Sequence, residues 1–274
     1  NQMSQYPQQH ASSPSYRLWW ITATFIAINV GLFVWQVLSG VNISQPTNIE
    51  AIRWGADYAP LTFLEEPTRL LTSMFFHFGW MHLMFNMWAL YLFGSIAEQM
   101  FGRFYFLSMY LLAGLMGSLF SGYINIQDTF TLVNNTTFDP ALLPRVSAGA
   151  SGAVMGLGAA LTVLSLLPVI PRQLFVLDKK TLLITLGLNL AIGFTVSGIN
   201  NAAHLGGMMM GAYLVIIWYI AQRFNTAVIG YVFGLGIGAI GCALLYLYDM
   251  QLVQHIAPIW QELLTAMKEH ARLS

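Results

Sequence analysis

Seven stretches of about 20 mostly apolar residues recur along the chain, near 18–38, 81–101, 104–124, 149–168, 181–198, 203–222 and 227–248. A run of that length is what a helix needs to cross roughly 30 Å of hydrocarbon at about 1.5 Å per residue. Backbone N–H and C=O groups cannot go unpaired there, so each run is expected to be a spanning helix and the chain an all-α polytopic membrane protein. Composition agrees: only 8% of residues are charged and 57% are hydrophobic, whereas a soluble domain carries roughly 25% charge. Net charge is zero and no Lys/Arg block lines up for a polyanion, so nucleic-acid partners are excluded. Cys242, the single cysteine, lies inside an apolar run and reads as a packing residue.

Residues 1–17, rich in Gln, Ser and Pro, read as a polar tail. The first apolar stretch is too long for a signal-peptide core and is expected to span. Two linkers are long. The first, 39–80, carries Trp54, Tyr58, Phe63, Phe75, Phe76 and Trp80 among prolines and charges, and is expected to lie at the membrane interface, partly helical. The second, 125–148, reads as a polar connection. Beyond the seventh run, Ile259, Trp260, Leu263, Leu264 and Met267 recur at helical spacing, as in an amphipathic segment propped on the membrane surface. The expected organisation is a six-span core over 18–222, a seventh span over 223–248 and this segment over 249–274. Asn134 and Asn135 each satisfy N-x-[ST], a match too short to carry weight.

Basic residues in the short loops set the orientation. Arg17, Arg103, Arg172, Lys179, Lys180 and Arg223 fall on one side, with Asp178 the one clear acid there. Arg53, Arg69, Arg145, Lys268 and Arg272 fall on the other, among nine acids. The bias predicts a cytoplasmic N-terminus and an exterior C-terminus.

Polar groups inside spans are costly and are usually paired or functional. His82 and Asn86, four apart, share one face of the second run. Ser151 opens the fourth run and His204 the sixth. Even-numbered spans all run from outside to inside, so all four residues share one depth near the outer ends of their helices. A hydroxyl becomes a competent nucleophile when a neutral imidazole takes its proton, which suits Ser151 and His204. His82, the Asn86 amide and the Ser151 backbone N–H are candidate donors to an oxyanion, aided by the positive end of the Ser151 helix. No Asp or Glu stands near His204 in sequence, so a dyad is expected rather than a triad. Small residues Gly152, Gly156 and Gly158 on the fourth run and Gly206, Gly207 and Gly211 on the sixth are expected to bring the two helices together. A lone serine in a Gly/Ala-rich span is ordinarily a packing residue; it is the joint set that argues for chemistry. His77 is expected to brace the long loop, and the Met208–Met210 run to pack.

With Gly149-x-Ser151-Gly152, His82-x-x-x-Asn86 and His204-x-x-Gly207-x-x-x-Gly211 in place, the chain resembles the rhomboid intramembrane serine proteases over roughly 18–222. Glu98-x-x-x-Gly102 and Arg69 are similar to the family pattern as well, and the seventh run resembles its six-plus-one arrangement. The resemblance implies Ser151 as nucleophile, His204 as its base, and His82 and Asn86 as oxyanion ligands beside Ala150 and Ser151. Gly149, Gly152, Gly207, Gly211, Arg69 and Glu98 would support that site. It also implies membrane-anchored protein substrates, cut near the outer face where their helix unwinds easily and a small residue precedes the bond. A bacterial plasma membrane is the expected setting. Two positions depart from the pattern: Met155 stands where many relatives carry Tyr or Phe under the histidine, and Thr68 where relatives often have Trp before the loop arginine.

Three other readings compete. A rhomboid-like pseudoenzyme would bind membrane clients without cutting them. A metal or haem protein would use His77, His82 and His204, but no thiolate or carboxylate accompanies them and no close paired-ligand spacing occurs, so no metal or cofactor is expected. A transporter would show repeat symmetry between halves, which this sequence lacks. For the protease, a mobile lid over the cavity is expected at residues 197–201.

Overall fold

The structure is a computed structural model that describes residues 18–171, 173, 177–195 and 199–273. The tail, Arg172 and the Ser197–Gly198 part of the expected lid lie outside the described residues. Each of the seven apolar runs is helical within the described residues. Among those residues there is no β-strand, only a two-residue antiparallel bridge between Asp57 and Ser147.

The first run forms α1 (Trp20–Leu38). Its first N–H groups have no partner within the helix and are taken by Glu98 from across the fold. Glu98 Oε1 accepts from Ile21 N at 3.0 Å, while Oε2 accepts from Thr22 N at 2.8 Å and Thr22 Oγ1 at 2.9 Å. The long loop that follows is partly helical, with α2 (Asn48–Arg53), α3 (Ala59–Leu64) and α4 (Arg69–Thr72). Arg69 holds it together: its Nη1 donates to the carbonyls of Ile52 and Ala56 at 2.7 and 2.8 Å, and its Nε to Glu66 Oε2 at 2.7 Å.

The second run is α5 (Trp80–Phe101) and the third is α6 (Arg103–Asn134). α6 continues ten residues past the end of the 104–124 run, to Asn134, so the first part of the expected 125–148 linker is helix. Apolar residues continue at helical spacing there, with Ile126 fully buried and Phe130 packed against the core. Asn125 and Thr129 meanwhile bond the carbonyls four residues back.

The fourth run is α7 (Ser151–Leu166), the centre of the bundle, walled by α5, α6, α8 (Lys179–Thr195) and α9 (Asn201–Arg223). Every residue from Gly152 to Thr162 is buried, as expected of a helix with no charge on any face. The seventh run is α10 (Ala227–Ile229), a π-helical stretch Gly230–Gly236 and α11 (Ile237–Val253), laid against α6 and α9. Tyr105 presses on this stretch: a β-carbon on Gly234 would lie 2.6 Å from its hydroxyl.

The C-terminal stripe is α12 (Ala257–Leu273). Trp260 and Leu264 are fully buried, so the segment rests on the first long loop rather than only on a membrane surface. Leu264 packs with Ile52, Tyr58 and Leu61, and Trp260 Nε1 donates to Thr129 Oγ1 at 2.9 Å.

Among the described residues, four helical stretches are long and apolar enough to cross a membrane: Trp20–Leu38, Arg103–Asn134, Asn201–Arg223 and Ala227–Val253. α5 is long enough at 22 residues but is interrupted by His82, Asn86, Glu98 and Gln99. α7 is apolar but shorter, at 16 residues, and α8, at 17, opens on Lys179 and Lys180.

Candidate active site

α7 and α9 pack backbone to backbone. A β-carbon on Gly207 would overlap the carbonyl oxygen of Gly152, and one on Gly211 would overlap that of Gly156. Gly156 in turn faces the Gly207 carbonyl, 2.8 Å from where its own β-carbon would sit. Two of the six glycines expected at this contact turn elsewhere. Gly158, two residues beyond Gly156, faces Phe93 and Leu186, and Gly206, one residue before Gly207, faces Met116 and Gly117 of α6. The helical rotation of about 100° per residue carries them off the shared face.

This contact brings the openings of the two helices together. His204 Nε2 lies 2.8 Å from Ser151 Oγ. The imidazole is 3% exposed, and its Nδ1 has no hydrogen-bond partner among the described residues, so no carboxylate orients it. α7 opens on Ala150, which has no side-chain oxygen to cap the helix, leaving the positive helix terminus directed at the site. Gly149 reaches that start with φ +125°, and a β-carbon there would sit 2.9 Å from His82 Cε1, so both backbone and space require glycine.

His82 Nδ1 accepts the Phe78 N–H at 3.0 Å. The neutral ring therefore carries its proton on Nε2, the nitrogen that faces the Gly149 turn. Asn86 Nδ2 donates to the His82 carbonyl at 2.9 Å and retains a second N–H. Ser151, His204, His82 and Asn86 line one cavity of about 570 Å³. Met155, 2% exposed, forms part of its wall.

Some residues of this cavity were not singled out from sequence: Ser44, Gln45 and Pro46 of the first loop, and Asn189 of α8. Asn189, a polar residue amid an apolar run, carried a readable signal; the loop residues carried none.

His77 lies behind the site, 1% exposed, where its Nε2 accepts the Ala150 N–H at 3.4 Å. Burial first, then the neighbouring His82, holds this imidazole well below its ordinary pKa. Its ring packs edge-on to His82 with centroids 5.3 Å apart. Among the described residues, no group of three or more His, Cys, Asp or Glu side chains converges to hold a metal ion.

The rhomboid domain matches residues 64–223, more than half of the chain. The chain is 28% identical over 268 residues to rhomboid protease AarA of Providencia stuartii, covering 91% of both proteins. It is 34% identical over 194 residues to rhomboid protease GluP of Bacillus subtilis (strain 168), covering 70% of this chain and 33% of that protein. It is also 34% identical over 165 residues to RHOMBOID-like protein 5 of Arabidopsis thaliana, covering 58% of this chain and 47% of that protein. The chain thus spans nearly all of the Providencia protein but less than half of the other two. Together with the apolar helices, these similarities define the class: an integral, multi-pass membrane protein and an intramembrane serine protease. The chain belongs to the rhomboid family.

Proposed function

We propose that the protein is an intramembrane serine endopeptidase whose catalytic dyad is Ser151 and His204. The observation that carries this reading is the 2.8 Å contact between Ser151 Oγ and His204 Nε2 at the mouth of a cavity. Neutral His204 takes the hydroxyl proton as Ser151 Oγ attacks the scissile carbonyl. The oxyanion forms beside the start of α7, where His82 Nε2–H, the free Asn86 N–H and the Ser151 backbone N–H supply donors. His204 then gives its proton to the leaving amine, and a water it activates releases the acyl group. No cofactor takes part.

The substrates are membrane-anchored proteins whose helix unwinds near the outer membrane face. Depth supports this: the 16 residues of α7 rise only about 24 Å, so a helix end recessed below one face is the natural result, and the cavity supplies water to it. The chain crosses the bilayer seven times, with the six-span core over 18–222 carrying the site and the seventh span over 223–248 added to it. Short-loop charge favours a cytoplasmic N-terminus and a site facing the exterior of a bacterial plasma membrane. The C-terminal helix, seated on the same loop that edges the cavity, agrees with an exterior C-terminus. Client binding without cleavage is not favoured.

Reconstitution with a panel of single-span reporter proteins tests the reading. Cleavage by the wild type and none by Ser151→Ala, at equal melting temperature, is the expected result. Equal cleavage by both would contradict it.

A further inference from the structure

The contact between α7 and α9 sets the axes of two helices, but a Ser–His pair must also be held in rotation and along the axis. The side chain at the start of α9 does this. Asn200 caps α9: its Oδ1 accepts the Ala203 N–H at 3.1 Å, and its main-chain carbonyl accepts the His204 N–H at 3.1 Å. Its Nδ2 points the other way and donates both to Ser121 Oγ of α6 and to Ser147 Oγ at 3.3 Å.

Ser147 is four residues before Ser151 and is itself fixed. Its N–H and C=O pair with the C=O and N–H of Asp57, each at 2.9 Å, and Gly149 N donates to Ser73 O at 2.8 Å two residues further on. One rigid amide, with an acceptor at one end and two donors at the other, therefore joins three elements. These are α6, the segment that delivers Ser151 and the helix that delivers His204. A serine or threonine cap satisfies the helix equally well but lacks the two-donor end. Asn200 is not among the residues that line the cavity shared by Ser151, His204, His82 and Asn86; with Ser147 and Ser151 it lines a second, much smaller pocket.

We infer that Asn200 is a positioning residue for this reaction, a clasp that fixes His204 against Ser151 by tying the cap of α9 to Ser147 and Ser121. The inference rests on the assignment of Ser151 and His204 as the dyad. A misplacement of about 1 Å in a reacting pair can cost about a hundredfold in rate. Loss of the clasp is therefore read in the chemical step and not in binding.

The test is the rate of covalent labelling of the full chain, in detergent, by a fluorophosphonate, resolved into the maximal inactivation rate and the half-saturating probe concentration. Asn200→Ser keeps the cap and removes both donations. It should lower the maximal rate about tenfold or more, with half-saturation within about twofold and an unchanged melting temperature. Asn200→Asp should recover most of that rate, because the Ser121 and Ser147 hydroxyls can rotate to donate to the carboxylate. The double variant Ser121→Ala/Ser147→Ala leaves the cap untouched and should reproduce the loss even if Asn200→Ser folds poorly. A wild-type maximal rate in the double variant would overturn the inference. So would a loss that appears only as weaker half-saturation, or one that follows the melting temperature without recovery in Asn200→Asp. Labelling that persists in Ser151→Ala would instead overturn the dyad itself, which keeps the two failures apart.

Discussion

The carbonyl oxygen of Gly152 occupies the space where a β-carbon on Gly207 would stand. The obstacle is backbone on a buried helix, so Gly207→Ala must push α7 and α9 apart. We expect a lower melting temperature and labelling of Ser151 reduced by about a hundredfold, the scale of an ångström of misplacement. Gly241→Ala is the control: Gly241 lies on α11 with nothing within 4 Å of a new β-carbon, and it should melt at or above the wild-type temperature. Thermal melts and labelling rates of the two variants check this, and equal behaviour would contradict it.

Glu98 is 2% exposed and holds the first turn of α1 through three hydrogen bonds, with Arg103 3.8 Å away. Glu98→Ala strands two backbone donors and the Thr22 hydroxyl, a loss of about 3 kcal/mol on the scale of unpaired buried donors. Glu98→Gln keeps one acceptor oxygen and should lose about half as much. Denaturant unfolding of both variants in mild detergent measures the order; an alanine variant as stable as wild type would refute the capping role.

Asp57 lies in the first long loop, 4% exposed, with Thr62 Oγ1 donating to its Oδ1 at 2.6 Å. Burial raises its pKa to about 6 from 3.8, against smaller opposing effects of the Thr62 hydrogen bond and Arg69. A folded-state pKa above the unfolded value means that the native protein holds the proton more tightly. The stability from this group is therefore full below pH 3.8 and is lost as pH rises to about 6. Two units correspond to about 3 kcal/mol. Melting temperatures across this range should fall with rising pH in the wild type, with a flatter profile in Asp57→Asn. An identical slope in both proteins would remove Asp57 as the cause.

Among the contacts that seat α12 on the first loop and on α6, two differ sharply in magnitude. The Lys268–Glu65 pair at 2.7 Å is 44% and 37% exposed, so Lys268→Ala should cost no more than about 1 kcal/mol. Trp260 is fully buried with a satisfied indole N–H, and Trp260→Ala should cost about 3–5 kcal/mol. Limited proteolysis at the α12 junction reads the difference, with rapid cutting expected only for the tryptophan variant.

Much of this arrangement was legible because hydrocarbon permits so few backbone solutions. Run length places most helix ends to within a few residues, the C-terminal end of α6 excepted, and the parity of helix directions predicts one level for Ser151, His204, His82 and Asn86, which line one cavity. Hydropathy failed where helix is stabilised by something other than lipid. Polar Asn125 and Thr129 continue α6 because Ile126 and Phe130 still face protein. The stripe of α12 could be read as apolar, but not as seated on Ile52, Tyr58 and Leu61, since an amphipathic period does not say what covers it. Composition alone groups Gly158 and Gly206 with the α7–α9 contact, whereas one or two residues of helical rotation turn them to other neighbours. Asn200 was read only as part of a lid; its position just ahead of an apolar run is a cap signature, but its links to Ser121 and Ser147 span 79 and 53 residues of sequence.

The most direct measurement is the intact mass of the protein after exposure to a fluorophosphonate, for wild type, Ser151→Ala and His204→Ala. A single adduct on the wild type and none on either variant, with all three melting alike, is the result predicted by a serine activated by the histidine 2.8 Å away. An unlabelled wild type, or an adduct that survives Ser151→Ala, would contradict it.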